Sequence, residues 1–477
     1  MDMSETVVQQ NTGDEAVRAL EKKQFEKMTK TRIPRLIIGL GIPTTLSMMV
    51  TSLYNLADTY FVSLLGNDAV TAAVSNLLAL MSIIQAIGFT YGMGSGSIIS
   101  RLLGKRDRDG ANKVASSSFF IALLSGLLIT SIGFIFLTPL MRLFGSSSAE
   151  TLSYSKQYAR WILTAAPFMC MSFVMNNVLR AEGKAVLSMI GLIVGALVNV
   201  ALDPILIFSA GLGVTGAALA TCISQFVSFS VLLVMFLSGK TIVRLKVRAI
   251  SRKLAVYGDV IATGFPSFCR QILASLCTVF LNRAAFTYGG DAAQAALGVV
   301  QKVFMLAFSL SLGIGQGYQP VLGYNYSAKR FDRVKVAYLF TLGFSTAIMC
   351  VFASVCAICS PLLMRMFSLS EKATQIGSLT LRLQCIAMPL LPLNFMASVT
   401  FQAVGSRAIA FVLSVSRQGL FYIPAVLILP RWKGLIGVQS SQMVSDIFAF
   451  LFAIPFTILF FQSLDKLKKN DENEKAV

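Results

Sequence analysis

From residue 35 to residue 463 the chain is a succession of apolar runs, each long enough to cross a bilayer and separated by short polar connections. A run of about 18 or more apolar residues reads as a transmembrane helix, because about 20 residues at 1.5 Å rise span the hydrocarbon core. The runs lie near 35–63, 69–100, 112–138, 155–179, 185–208 and 214–238, then 257–286, 292–322, 334–360, 374–402, 408–429 and 436–463. Twelve such crossings use most of the 477 residues and leave no room for a second soluble domain. Only 13% of the residues are charged, against about 25% in soluble domains. The fold class expected is an all-α polytopic membrane protein.

Lysine and arginine sort the connections into two classes. The N-terminal tail, the loops near 101–113, 180–184, 240–253, 329–335 and 407, and the C-terminal tail hold 29 of the 41 basic residues; the alternate connections hold nine. The positive-inside rule places the basic set, and with it both termini, in the cytoplasm. The formal charge of +19 is therefore a topology signal, and no nucleic-acid partner is expected. The N-terminus carries no signal-peptide pattern.

The runs repeat. Gly41–Ile42–Pro43 recurs as Gly264–Phe265–Pro266, Asp68–Ala69 as Asp291–Ala292, and Met141–Arg142–Leu143–Phe144 as Met364–Arg365–Met366–Phe367, all at an offset of 223. Gly92, Gly94 and Gly96 match Gly313, Gly315 and Gly317, Pro167 matches Pro389, and Gly213 and Gly216 match Gly434 and Gly437, within two residues of that offset. The offset covers six runs, an even number, so the halves cross the membrane in the same sense. Parallel repeats of this kind mark secondary transporters with substrate held between the halves. The organisation expected is a cytoplasmic tail (1–34), an N-lobe of helices one to six (35–239), a cytoplasmic linker (240–256), a C-lobe of helices seven to twelve (257–463) and a cytoplasmic tail (464–477). Without a strand or βαβ unit around it, Gly92-x-Gly94-x-Gly96 reads as close helix packing rather than nucleotide binding.

Chemistry is constrained by what is missing. The chain has no histidine, which excludes Ser–His–Asp and Cys–His catalysis and His-ligated zinc. Cys356 and Cys359 have CxxC spacing but sit inside a predicted membrane helix, where cysteine is a small apolar filler. No enzyme activity and no cofactor are expected.

A charge inside the bilayer costs about 2.5–3.5 kcal/mol on insertion scales, so each needs a reason. Asp58, Asp203 and Asp446 are the acids well inside predicted spans. Asn199 and Asp203 stand four apart, on one helical face, and Pro204 weakens the backbone bonding beside them. Their oxygens suit a proton or a hard cation; the plainer alternative is that they bond helices together. The C-lobe does not copy this acidic set: Leu281 stands 223 residues after Asp58, and the lobe carries Arg270, Gln271 and Lys302 instead. Asp446 is the acid expected to balance Arg270 and Lys302, either as a structural ion pair or with Lys302 tuning a central cavity. Pro43 removes a backbone hydrogen bond from the first helix and makes bending there inexpensive.

Four stretches carry a family resemblance: Pro43 followed by Asn55–Leu–Ala–Asp58–Thr59–Tyr60–Phe61–Val62; Ser100–Arg101–Leu–Leu–Gly104–Lys105–Arg106–Asp107; Asn199–Val–Ala–Leu–Asp203–Pro204; and Gly213–Val–Thr–Gly216–Ala–Ala–Leu–Ala–Thr221. Together with the repeat they resemble the multidrug and toxic compound extrusion (MATE) family, over about Pro34 to Phe461. Gly264–Phe–Pro266–Ser–Phe–Cys–Arg270–Gln271 is similar to the seventh helix of its bacterial drug-exporter branch. The resemblance implies a V-shaped antiporter in the bacterial cytoplasmic membrane. It would export organic, often cationic compounds in exchange for Na⁺ or H⁺, with membrane lipid around it and a monomer as the working unit. It also implies a coupling site at Asp58, Asn199, Asp203 and Thr221, the only place where a metal ion (Na⁺) is expected, and a cation-linked bend at Pro43. The alternative within transport is a flippase of lipid-linked saccharides or peptides, for which Arg270 and Lys302 would serve a pyrophosphate. An intramembrane enzyme lacks its histidine, and a channel fits a two-lobe repeat less well.

Overall fold

The computed structural model describes residues 18–65, 68–146, 148–367 and 370–476; residues 1–17 of the expected N-terminal tail and Val477 lie outside the described residues. The described residues form helices and connecting turns, without a strand. Eleven helical segments are long and apolar enough to cross a membrane. One of them, Leu254–Ser327, has 74 residues, about 110 Å at 1.5 Å per residue, far more than the ~30 Å hydrocarbon core. It is broken at Gly290, whose φ of 67° and ψ of −163° lie outside the helical region and suit a residue without Cβ. Its arms, 254–289 and 291–327, are two crossings, which brings the total to twelve.

The crossings are α1 (Ile33–Ser63), α2 (Asp68–Gly104), α3 (Arg108–Ile135), α4 (Ala149–Ala181), α5 (Ala185–Pro204) and α6 (Gly213–Leu237) in the N-lobe. The C-lobe holds α7 (254–289), α8 (291–327), α9 (Phe331–Ile358), α10 (Glu371–Val404), α11 (Arg407–Lys433) and α12 (Leu435–Ala476). The tails are helical too: residues 18–30 form a helix before α1, and α12 runs through the expected C-terminal tail.

α4 forms the core of the N-lobe and is buried along most of its length against α2, α3 and α6. Pro167 inside it cannot donate to the Leu163 carbonyl four residues earlier. The Thr130 hydroxyl of α3 donates to that carbonyl at 2.6 Å and restores the missing bond. Gly126 lets α3 come close enough, since a Cβ there would meet the Pro167 backbone.

The lobes meet along the terminus-bearing ends of α1, α2, α7 and α8. A Cβ on Gly94 would strike the Val260 carbonyl, one on Gly264 the Thr90 backbone, and one on Gly317 the Gly41 backbone. The repeated GxGxG thus serves close backbone approach. Arg180 reaches across the seam to Gln316, Asn325 Nδ2 donates to the Met28 carbonyl at 3.0 Å, and Arg333 to the Thr31 carbonyl at 2.6 Å. The Ser52 and Ser309 hydroxyls, 2.7 Å apart, lie farther along the seam. The lobes are therefore closed together at the terminus-bearing end.

The linker is bound to the N-lobe through its backbone. The buried Glu182 carboxylate accepts from the Ile242 and Val243 amides at 3.0 and 2.9 Å and pairs with Lys184 at 2.8 Å. Burial pushes the Glu182 carboxyl above its ordinary range, opposed by Lys184 and the two amides. Asn112, Ser116 and Ser117 accept from the amides of Arg244, Lys246 and Ser251 at 2.8–3.0 Å.

Candidate functional site

Three elements of the N-lobe bring the predicted acidic set together. α5 ends at Asp203–Pro204 and passes into a π turn, Ile205–Ser209; a proline that withholds its amide favours such a widened turn, and π turns gather at functional sites. α1 contributes Asp58 and α6 contributes Thr221. Asn199, Asp203 and Thr221 are 1%, 0% and 3% exposed, out of reach of bulk water. The Asn199 amide donates weakly to both neighbours, 3.5 Å to Asp203 Oδ1 and 3.4 Å to Thr221 Oγ1. Asp58 lies within electrostatic reach of Asp203.

What remains unsatisfied is informative. Asp58 Oδ1, Asn199 Oδ1 and Asp203 Oδ2 are buried, and among the described residues none forms a hydrogen bond to these three atoms. A buried carboxylate or amide oxygen without a donor costs about 1–3 kcal/mol, more when charged. Three such oxygens from two carboxylates and one amide, with a hydroxyl beside them, form an all-oxygen set fit for a hard cation or a proton. Like charges near each other in a low-dielectric lobe are relieved by either.

Two tyrosines complete the cluster. The fully buried Tyr158 of α4 faces the Asp58 carboxylate and the Thr221 hydroxyl, and Tyr54 lies near both aspartates and reaches Gln225. Sequence reasoning missed both. Tyr54 stands four before Asp58 and Gln225 four after Thr221, so helical spacing carried that signal. For Tyr158, on a different helix and spaced from nothing, no local signal exists.

The C-lobe set assembles differently from the expectation. Asp446 does not balance Arg270 or Lys302: it pairs with Arg417 of α11, Nε to Oδ1 at 2.7 Å, and accepts from Gln442 at 2.9 Å. The reason is local geometry. α11 carries a π turn over Ser416–Tyr422, just before Pro424, and the Ser445 hydroxyl ties the Arg417 carbonyl to α12 at 2.6 Å, which turns Arg417 toward Asp446. Lys302 is exposed, with its ammonium 5.8 Å from the centre of the Phe367 ring, and is absent from the residues that line the C-lobe recess. Arg270 does line that recess, together with Arg417, Phe308, Ser311, Asn394 and Phe395.

The offset of 223 residues also decides the family. The MatE family model matches residues 43–205 and again residues 266–428, one match per lobe and 223 residues apart. The chain belongs to the MatE family. "Multidrug export protein MepA" of Staphylococcus haemolyticus (strain JCSC1435) is 26% identical over 427 residues, 90% of this chain and 94% of that protein. The protein of the same description from Staphylococcus aureus (strain NCTC 8325 / PS 47) is 25% identical over 429 residues, with the same coverage. A solved structure described as an outward-facing conformation of a multidrug resistance MATE family transporter superposes with a TM-score of 0.88 at 28% identity, covering 93% of this chain and 99% of that one.

In this MATE transporter Pro43 sits within α1, whose helix continues through it. The Thr44 and Ser47 hydroxyls turn back onto the carbonyls of Leu40 and Pro43 at 2.7 and 2.8 Å. Such back-bonding bends helices slightly and adds to the weak point the proline creates. The two-lobe, twelve-crossing architecture and the resemblance read from sequence both hold.

Proposed function

We propose that this MATE transporter is a secondary antiporter of the bacterial plasma membrane that exports small organic compounds, cations foremost, in exchange for H⁺ or Na⁺. The single observation that carries the coupling half is the trio of buried oxygens on Asp58, Asn199 and Asp203 that have no hydrogen-bond partner among the described residues. The export half follows from the family and from relatives described as multidrug export proteins. On the basic bias of the loops, both termini and the linker face the cytoplasm, and the closed ends of the lobes make this an outward-facing state. Loading one cation at Asp58, Asn199, Asp203 and Thr221 changes the charge of the lobe by one unit. That change biases a bistable element, α1 at Pro43, and so alternating access. Monomeric function needs nothing from a second copy.

Proteoliposomes loaded with ethidium under an imposed pH or Na⁺ gradient test this. Wild type accumulates dye against its gradient with one of the two ions, and Asp203→Asn at equal protein level does not. Full ion-driven accumulation by Asp203→Asn removes Asp203 from coupling. Separately, labelling from outside at a cysteine placed at residue 246 of a Cys-free variant overturns the orientation.

A further inference from the structure

Two half-buried arginines of the C-lobe, Arg270 and Arg417, have no part in the cation chemistry, yet they are costly groups to place in a membrane. Arg270 of α7 uses one terminal nitrogen on the Ser267 hydroxyl at 3.3 Å. Its other, Nη1, is buried without an acceptor among the described residues. Arg417 of α11 gives Nε to Asp446 and leaves Nη2 buried without an acceptor among the described residues. Both guanidiniums line the same recess. Aromatic faces hold their planes: Phe395 under Arg270 at 5.3 Å, Phe304 and Phe308 under Arg417 at 5.2 and 5.7 Å. A guanidinium packed on a ring face directs its N–H edge sideways, and here both edges have a donor to spare.

The charge does not balance inside the lobe. Asp446 neutralises Arg417, while among the described residues no salt bridge to Arg270 is formed. Gln418 and Ser311, on the same recess, add one amide and one hydroxyl with unpartnered buried oxygens. The recess is small, with room for a substituent rather than a drug-sized molecule. It also borders the seam between lobes: Gln271, next to Arg270, meets Gln85 at 3.5 Å, and Ser309, next to Phe308, meets Ser52 at 2.7 Å.

We propose that this recess is an anion-accepting subsite, in which Arg270 and Arg417 receive the carboxylate of a substrate whose remaining bulk lies in the cleft between the lobes. A carboxylate between two guanidiniums supplies acceptors to both spare donors and the missing negative charge, in the fork geometry arginine favours. This rests on the export reading above and deepens it.

The test compares binding of a fluorescent quinolone carboxylate with that of its methyl ester on purified full-length protein, with ethidium binding as the check on export itself. Wild type binds the acid at least tenfold more tightly than the ester. Arg270→Gln removes that preference, and Arg270→Lys restores part of it. Ser311→Asp, which puts an internal carboxylate before the arginines, removes it as well, so the outcome does not hang on one variant folding. Equal affinity of wild type for acid and ester, or an unchanged preference in both Arg270→Gln and Ser311→Asp, overturns the subsite. Wild type retaining phosphatidylglycerol that Arg270→Gln loses, with the acid preference intact, assigns the recess to a lipid phosphate and also overturns it. Failure of wild type to bind ethidium at all counts against the export reading and not against the arginines.

Discussion

The two lobes repeat one another in framework and oppose one another in chemistry. Gly183 and Gly405 take positive φ at matched helix ends, 77° and 96°, and Gly213 and Gly434 do so at 52° and 53°. Within that shared frame, and among the described residues, the N-lobe holds two acids each with a buried oxygen that lacks a donor, and the C-lobe holds two half-buried arginines each with a buried nitrogen that lacks an acceptor. The difference teaches that a repeat specifies where a chain turns and crosses, while single side chains decide which sign of charge each half can hold.

The largest expected effect separates the two kinds of buried acid. We predict that Asp203→Asn abolishes gradient-driven ethidium accumulation while the protein inserts and binds dye, because an amide keeps the shape and loses the ionisable oxygen. Asp58→Asn is expected to act in the same direction and less severely, since Asp58 is less buried. Retention of coupling by Asp203→Asn with loss in Asp58→Asn would reverse that ranking and move the ion toward α1. Accumulation at equal protein level, measured for both ions, reads it.

In the C-lobe the buried acid, Asp446, has no counterpart in the repeat and pairs with Arg417. Asp446→Leu leaves Arg417 buried and unpaired, and breaking a buried pair by removing one partner costs about 3–5 kcal/mol. Arg417→Leu together with Asp446→Leu is expected to recover most of that, since replacing both charges by apolar groups is close to neutral. Thermal unfolding of the purified variants shows it. A double variant no more stable than Asp446→Leu alone would mean that Gln442 and the Ser445 contact, not the ion pair, hold α11 to α12.

Leu281 allows the converse experiment. It stands where Asp58 stands in the other lobe, but it is buried among Cys277, Ala285, Leu297, Tyr422 and Val426. Leu281→Asp therefore meets apolar side chains instead of an amide, a hydroxyl and a second carboxylate. We predict a loss of about 2.5–3.5 kcal/mol, the insertion cost of a membrane-centre acid, and no second coupling ion. A doubled ion stoichiometry in flux measurements would show that the frame alone suffices to make a site.

Crossings, lobes and the repeat were legible because they depend on properties that add along the chain: apolar length, basic loops and an offset that holds across six helices. That Asp58, Asn199, Asp203 and Thr221 come together was legible because Asn199 and Asp203 share a face and all four match the family pattern residue by residue. Pairing across helices was not. Asp446 was assigned to Arg270 and Lys302 because all three lie in one lobe; nothing in the sequence announces that the π turn at Ser416–Tyr422 swings Arg417 to Asp446. Lys302 shows the same limit, since helical periodicity did not say which face of α8 was covered. Tyr158 entered the acidic cluster from a helix with no spacing relation to it.

The smallest expected effect concerns the matched prolines, Pro167 and Pro389. α4 passes through Pro167 as an unbroken helix, whereas α10 breaks at the equivalent place into a 3₁₀ turn, Met388–Leu390, before resuming at Leu391. Each proline frees a carbonyl one turn earlier, so the outcome turns on what meets that carbonyl. In α4 it is Thr130, whose hydroxyl bonds the carbonyls of both Leu163 and Gly126, at 2.6 and 3.0 Å. Thr130→Val keeps the shape and removes the donor, leaving a Leu163 carbonyl without a partner in the lobe interior at a cost of about 1–3 kcal/mol. α4 then has the choice α10 already made, to loosen around its proline. Since Tyr158 lies on α4, nine residues before Pro167, a loosened α4 also relaxes the wall of the acidic cluster. The expected result is a modest fall in unfolding temperature, with faster amide exchange confined to the turn before Pro167. A variant with wild-type exchange in that turn would show that packing on Gly126, and not the hydroxyl, keeps α4 whole.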